Sequence, residues 1–477
     1  MEYEPVIGLE VHVQLETRTK VFCGCLTDFG AEPNTQVCPV CLGFPGSLPV
    51  LNKTALEYSI KVGLALNCAI QGFTKFDRKH YYYPDLPKNI QISQYDLPIA
   101  KDGYLDIGVN GQTKRIGIRR AHLEEDAGKL IHRGNASLVD YNRTGQPLLE
   151  IVSEPDISAP EEAYEYLTDL KSVVEYLDVS DCDMEKGSLR CDANISVRPR
   201  GTKELGTKSE IKNLNSFKAV RDALQYEINR HLELKAAGEQ IVQETRLWDE
   251  KETKTLSMRS KEEAKDYRYF PEPDLPPFTI DKSRIGEIRK TIPELPKEKM
   301  RRFMKDYGLT LYDARLLVIS KNTSLYAEER LKAFPSKDKK PVANWLIGPM
   351  AQEANSRNKE LADIPVSPAA LNEIIGLVES GQISNLAAKT VLTEMIDSGK
   401  NAGTIVREKN LVQISDESAL ATEMEAVIKE NPKVVGDFKA GKENSIMFLV
   451  GQVMKRTKGK ANPKIVRDML KRRLTDA

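Results

Sequence analysis

At 477 residues the chain exceeds what one hydrophobic core usually serves, so about two to four domains are expected. Its charged residues, 29% of the total, divide into 70 basic and 70 acidic, so overall charge does not mark a polyanion binder and any basic surface must be local. No apolar run approaches the roughly 18 residues of a membrane span, and the N-terminus opens on a strand-like segment instead of a signal, which predicts a cytoplasmic protein with no membrane partner.

The opening segment, Pro5 to Leu15, largely alternates and reads as a strand with Glu10, His12 and Gln14 on one face and Leu9, Val11, Val13 and Leu15 on the other. Cys23, Cys25, Cys38 and Cys41 follow as a C-x-C and a C-x2-C, separated by a stretch that holds the turn formers Gly30, Pro33 and Asn34. Two such knuckles suit one tetrahedral zinc, and four thiolates leave no position for water, so the metal would be structural. Cys68, Cys182 and Cys191 lie far from the cluster and read as ordinary buried or half-buried thiols. Between Lys75 and Lys88, the cations Lys75, Arg78, Lys79 and Lys88 interleave with aromatic rings, a strip able to hold phosphate and stack bases. A solvated loop with packed tyrosines is an equal reading of that composition.

Acidic residues then appear where apolar ones are expected. His122-Leu123-Glu124-Glu125-Asp126 follows the strand-like Arg115 to Ile118, Glu150 sits inside the strand Leu148 to Val152, and Asp192 lies within Ser188 to Asn194. Each acid alone is more often ion-paired or solvated. Together with His12 and Glu10 they suit a hard divalent cation such as magnesium. Gly201 to Ser209 nearly matches a phosphate-binding loop, but Thr207 stands where lysine is required, so a glycine-containing hairpin is expected and ATP use does not follow from spacing. The prolines between Arg268 and Pro277 predict an extended closing segment.

After about Pro293 the pattern turns helical. Ser384 precedes Ala388, Val391, Leu392, Met395 and Ile396, with Gly399 beyond them, which predicts a capped amphipathic helix. Leu420, Met424, Val427 and Ile428 predict another, stopped by Asn431-Pro432, and a hinge is expected in the loop holding Gly399, Asn401 and Gly403. Residues 431–477 carry twelve Lys or Arg against four Asp or Glu, a local surplus of eight that suits an RNA backbone.

The stretches VIGLEVHVQL, VCPVCLGFPGSLPVLN, KFDRKHYYYPDLPKNIQISQYD, HLEEDAGK, DYNRTGQPLLEIVSEPD, GSLRCDANISVRP, SEIKNLNSF and DYRYFPEPDLPP resemble the motif blocks of the B subunit of aspartyl/glutamyl-tRNA amidotransferases. NPKVVGDFKAGKENSIMFLVGQVMKRTKGKANP is similar to that family's tRNA-binding tail, so the resemblance spans most of the chain. It implies an α+β fold: a catalytic cradle of mixed and antiparallel strands over residues 1–292, into which the cysteine spacing places a zinc-knuckle insertion near 23–41, a helical domain over 293–407, and a basic helical tail over 408–477 that binds tRNA. The implied activity is ATP-dependent amidation of Glu-tRNA(Gln) or Asp-tRNA(Asn), with magnesium, in a complex with an amidase, the family's A subunit, that supplies ammonia and with a small C subunit. Glu10, His12, Glu124, Glu125 and Glu150 correspond to the family's metal-binding positions, with the choice within the adjacent pair left open. Asp192 and Glu210 correspond to residues near the phosphate and a second metal, and Lys79 and Lys88 to the block of the active site and channel mouth. His80 stands where asparagine is commoner, and the zinc cysteines occur in only part of the family, so zinc rests on their spacing here. The alternative readings are a non-enzymatic tRNA-binding scaffold and a free-standing ligase using ammonia directly. No Ser-Lys amidase or Cys-His glutaminase pattern is present, which places the ammonia supply outside the chain.

Overall fold

The computed structural model describes residues 2–109, 111–260, 267–413, 417–457 and 461–475. The chain divides into two compact units, Met1–Leu295 and Pro296–Ala477.

The first unit is built on strands Tyr3–Gln14 (β1), Ala69–Ile70 (β2), Ala100–Val109 (β3), Gln112–Glu125 (β4), Pro147–Ser153 (β5), Leu189–Pro199 (β6), Ser209–Leu214 (β7), Glu244–Asp249 (β8) and Lys254–Ser260 (β9). They form one nine-stranded sheet in the order β9-β8-β7-β6-β1-β5-β4-β3-β2. Neighbours are antiparallel except β7 and β8, which run parallel, so the sheet is mixed. Strand β1 lies between β5 and β6 with alternating burial: Leu9, Val11 and Val13 are buried, and Glu10, His12 and Gln14 are half-buried. The register carries this alternation across the sheet. His12 stands opposite Glu150 and Arg190, Glu150 opposite His122, and Glu10 opposite Asp192. Directly paired residues share a face, so one face collects these polar groups and the other collects Leu149, Ile151, Leu123, Ala193, Ile195 and Ile211.

Helices Lys53–Ala65 (α1), Pro160–Tyr176 (α2) and Phe217–Ala237 (α3) add Ile60, Leu167, Leu170, Val220 and Leu224 to that apolar cluster. Each such aliphatic side chain contributes on the order of 2 kcal/mol when fully buried. A one-residue slip of β1 would exchange its faces, so the core fixes where the polar row points. The expected strand at Arg115 to Ile118 continues through Glu125, with His122 and Glu124 on the polar face and Leu123 and Glu125 on the other. Between β6 and β7 the register shifts at Asn213, which adopts φ 66 and forms a bulge. The segment from Gly201 to Lys208 is the connection between these two antiparallel strands and leads into no helix. The proline-rich segment is extended: Phe270–Pro271 pairs with Asp77–His80, which also pairs with Ile90–Ser93.

In the second unit Ser384 accepts from Ala387 N, helix Asn385–Ser398 follows, and Gly399 closes it at φ 69. Ala388, Val391, Leu392 and Met395 form its buried stripe. The expected hinge is replaced by a short junction in which Asn401 caps the next helix, Ala402–Glu408, and Gly403 lies inside it. Buried residues from Phe303 to Val406 form one apolar cluster and those from Leu420 to Leu474 another. No helix among the described residues is long and apolar enough to cross a membrane.

Candidate active site

Three strands converge on one grouping. His12 comes from β1, Glu150 from β5 and Glu124 from β4, and one ligand atom from each lies within 4.8 Å of the others. His12 Nε2 is 3.5 Å from Glu150 Oε2 and 3.7 Å from Glu124 Oε1. His122 approaches from the same row, with Nε2 3.1 Å from Glu150 Oε2 and 3.8 Å from Glu124 Oε2, and Ser93 Oγ donates to Glu124 Oε2 at 3.1 Å.

Burial drives the His122 imidazole towards neutrality, but Glu150 and Glu124 outweigh it and push its pKa up to about 9. His12 is raised in the same way, its burial opposed by Glu150 and Glu124. The same burial would raise both carboxyls, yet the imidazoles hold Glu124 below and Glu150 well below the usual carboxylate range. Buried carboxylate charge balanced by imidazolium and by nearby Lys79 fits a hard cation: two oxygens and one nitrogen already converge, and a divalent ion would take over the balancing role.

The adjacent acid turns the other way. Glu125 Oε2 receives Lys88 Nζ at 2.5 Å, and its Oε1 receives the Ile92 N–H at 2.9 Å, because neighbouring residues on a strand point to opposite sides. Lys88 and Glu125 line a cavity of about 290 Å³ shared with Cys41 and Arg78, apart from the His12 grouping. Lys79 places its Nζ 5.1 Å from the centre of the Tyr267 ring and 5.6 Å from that of Tyr81, and its charge helps hold Glu124 down. Tyr269, stacked on Tyr95 at 4.3 Å, has its phenol raised by burial and by Glu124 and Glu150.

Glu10 is outside the His12 grouping and accepts from Asn194 Nδ2 at 2.9 Å. Further across the face, Lys212 Nζ lies 2.5 Å from Asp192 Oδ2 and 3.1 Å from Glu210 Oε1. Burial opposes its charge, and the two carboxylates overcome this to raise its pKa. Arg190 stands opposite His12 and pairs with buried Asp126 at 2.9 Å.

The four cysteine sulfurs also lie within 4.8 Å of one another. Lys20, fully buried, places Nζ 3.7 Å from Cys41 Sγ and donates to Tyr141 O at 3.3 Å. Cys41 also accepts from Cys38 N at 3.2 Å, and its thiol is lowered to about 4 by its hydrogen bond with Cys23 against burial. A preformed sulfur tetrad beside a buried cation fits a closed zinc site without an open coordination position.

A family model described as the GatB/GatE catalytic domain matches residues 5–286, and one described as the GatB domain matches residues 326–474. The chain belongs to the GatB/GatE catalytic-domain family. It is similar over its length to proteins named as the B subunit of aspartyl/glutamyl-tRNA(Asn/Gln) amidotransferase. That of Carboxydothermus hydrogenoformans is 58% identical over 99% of each chain. That of Caldanaerobacter subterraneus subsp. tengcongensis is 58% identical over 100% of each, and that of Clostridium botulinum strain Okra is 54% identical over 98% of each.

Within this GatB/GatE framework the polar face holds groups that sequence reasoning did not single out. His122 sits in the quoted acidic run but gave no signal beyond its place opposite Glu150. Arg190 and Lys212 looked like ordinary basic residues, and only their strand parity with Asp192 could have marked them. In the GatB-matched tail, Arg456 pairs with Glu423 and Glu430 and Arg473 with Glu425. Exposed Lys433, Lys439, Lys455, Lys464 and Arg472 make no ion pair among the described residues. The basic run from Lys455 to Lys460 lies partly outside those residues.

Proposed function

We propose that this chain activates the side-chain carboxylate of Glu-tRNA(Gln) or Asp-tRNA(Asn) by ATP-dependent phosphorylation on the polar face of the sheet, and that ammonia from a glutaminase partner then displaces the phosphate. The observation that carries the reading is the convergence of His12, Glu124 and Glu150 in one row beside the Asp192–Lys212–Glu210 bridge. A carboxylate is a poor acyl donor until one of its oxygens becomes part of a leaving group. In the first step that oxygen bonds to the γ-phosphorus as the bond to ADP breaks; in the second, ammonia bonds to the acyl carbon as phosphate leaves. His12, Glu124 and Glu150 would hold magnesium, which when bound shields negative charge on the phosphates.

The protein's own groups set the rest of the field. Lys212 presents a positive charge to a transferring phosphoryl, and Asp192 and Glu210 hold its ammonium in place. Glu10 stands on the same face, beside Asn194. Lys79 lies above the tyrosine rings on the approach to Glu124, in the aromatic strip that suits an unpaired nucleotide end. The four cysteines would hold zinc as a structural tie. The basic tail would grip the tRNA body, since its surplus of eight charges, twelve against four, attracts phosphate. Because ammonia enters from elsewhere, the amidase A subunit and the small C subunit are the partners this reading requires.

The test is ATP turnover by the assembled complex. Phosphate release should appear only with a misacylated tRNA present, and amide product only with ATP. Amide formed without ATP, or ATP turnover indifferent to the aminoacyl group, would overturn the reading in favour of a tRNA-binding scaffold. Running Glu-tRNA and Asp-tRNA side by side identifies the substrate.

A further inference from the structure

The three arginines of β4 do not fare alike. Arg115 pairs with Asp106 at 2.8 Å and Arg119 with Glu154 at 2.8 Å, whereas Arg120 makes no ion pair among the described residues. Arg120 shares a face with His122 and Glu124 on the same strand, so it belongs to the polar row. Val152 stands opposite it on β5 and Lys101 on β3, so one neighbour offers no acceptor and the other adds like charge. The side chain is half-buried, and its buried Nε finds no hydrogen-bond acceptor among the described residues. A guanidinium N–H shut off from water without an acceptor is costly, and an anion would relieve it. Burial, Glu124 and Glu150 raise the Tyr269 phenol while Arg120 draws it back, so this ring lies within the fields of both the acidic row and the guanidinium. Tyr95 stacks on Tyr269, and Tyr267 meets its edge at 6.2 Å, which places Arg120 beside the aromatic strip proposed for the unpaired nucleotide end.

We infer that Arg120 holds the side-chain carboxylate of the aminoacyl group while that carboxylate is phosphorylated. An in-line displacement sets the attacking and leaving oxygens on opposite sides of phosphorus. Lys212, which faces the transferring phosphoryl in the reading above, stands on β7. Arg120 stands on β4, four strand spacings away or about 19 Å, with the strands that carry His12 and Glu150 between them. The attacking carboxylate therefore enters from the side of Arg120 and the tyrosines. Two parallel N–H donors can take one lone pair on each carboxylate oxygen and leave another for attack. A phosphodiester of the tRNA end would also suit a guanidinium, so the test separates the two anions. This inference rests on the phosphorylation reading above.

The experiment uses the assembled complex and measures phosphate release in Arg120→Ala and Arg120→Lys, with Glu-tRNA and ATP varied separately and uncharged tRNA as inhibitor. Arg120→Lys keeps the charge but not the paired donors, and it carries the test if Arg120→Ala does not assemble. The expected result is a fall in kcat/KM for Glu-tRNA of about a hundredfold for Arg120→Ala and about tenfold for Arg120→Lys, with KM for ATP and inhibition by uncharged tRNA unchanged. Added guanidinium should restore part of the loss in Arg120→Ala and do nothing for the wild type. Wild-type kcat/KM in both variants overturns the inference and leaves the phosphorylation reading standing. Equal weakening of Glu-tRNA and uncharged tRNA also overturns it and gives Arg120 to the tRNA backbone, as does a rise in KM for ATP alone, which gives it to the nucleotide. A loss in Arg120→Ala that guanidinium leaves untouched marks a structural role and overturns it as well. Absence of aminoacyl-tRNA-dependent phosphate release in the wild type removes the underlying reading, and the inference with it.

Discussion

Replacing Glu150 by Gln keeps the side-chain shape and removes one charge from a buried row, and two consequences should separate. Glu150 Oε2 lies 3.1 Å from His122 Nε2 and 3.5 Å from His12 Nε2. If the row stabilises charge on a transferring phosphoryl, turnover should fall on the order of a hundredfold, with a raised magnesium requirement. The stability effect follows from His122, which is raised from 6.5 to about 9 against its burial by Glu150 and Glu124. That gap corresponds to about 3 kcal/mol at about 1.4 kcal/mol per pH unit. Two carboxylates share it, so losing one should cost about 2 kcal/mol. Because the folded-state pKa is the higher one, this contribution is fully present below pH 6.5 and fades as pH rises through about 9. The assay is unfolding of wild type and Glu150→Gln at pH 6 and pH 10 in chelator, paired with a magnesium titration of phosphate release. A stability difference independent of pH, or wild-type turnover with an unchanged magnesium requirement, would refute the reasoning.

Cys38→Ser should lower zinc from about one per chain and destabilise the N-terminal unit while leaving the His12 grouping in place; protein purified without chelators that contains no zinc contradicts this. Deleting residues 408–477 should raise KM for tRNA, most visibly at low salt, because the tail's charge surplus acts through phosphate; unchanged tRNA binding across a salt series would count against it. Glu227 is fully buried on α3, with Arg230 at 2.8 Å, Arg246 at 3.1 Å and Thr255 also bonded to it. Burial would raise its carboxyl, but His231, Arg230 and Thr255 hold it at about 2, so its contribution is present above about pH 4.5 and lost as pH falls towards 2. Glu227→Ala should cost about 3 kcal/mol near neutrality, and a loss below 1 kcal/mol by thermal unfolding would show the network to be dispensable.

The faces of β1 were legible in the sequence because a strand sheltered on one side must alternate, and the cap of helix Asn385–Ser398 because Ser384 and Gly399 do jobs few other residues do. The cysteine tetrad was legible because its ligands are close in sequence. The choice between Glu124 and Glu125 was not, since both sit in one polar run and only pairing with β5 and contact with Lys88 separate them. Lys212 was hidden for a related reason: its partner Asp192 lies on another strand, and the bulge at Asn213 has no periodic trace. His122 shows the limit of reading residues singly. Its meaning comes from Glu150, across a strand pair that local pattern does not reveal.

The central claim, that the substrate carboxylate is phosphorylated on this face, is tested most directly by isotope transfer. Glu-tRNA carrying ¹⁸O in its side-chain carboxylate is supplied to the assembled complex with ATP and glutamine, and the released phosphate is analysed by mass. The account predicts one carboxylate oxygen transferred to phosphate for each amide formed, because the acyl C–O bond breaks when ammonia displaces the phosphate. Amide produced with unlabelled phosphate would contradict it.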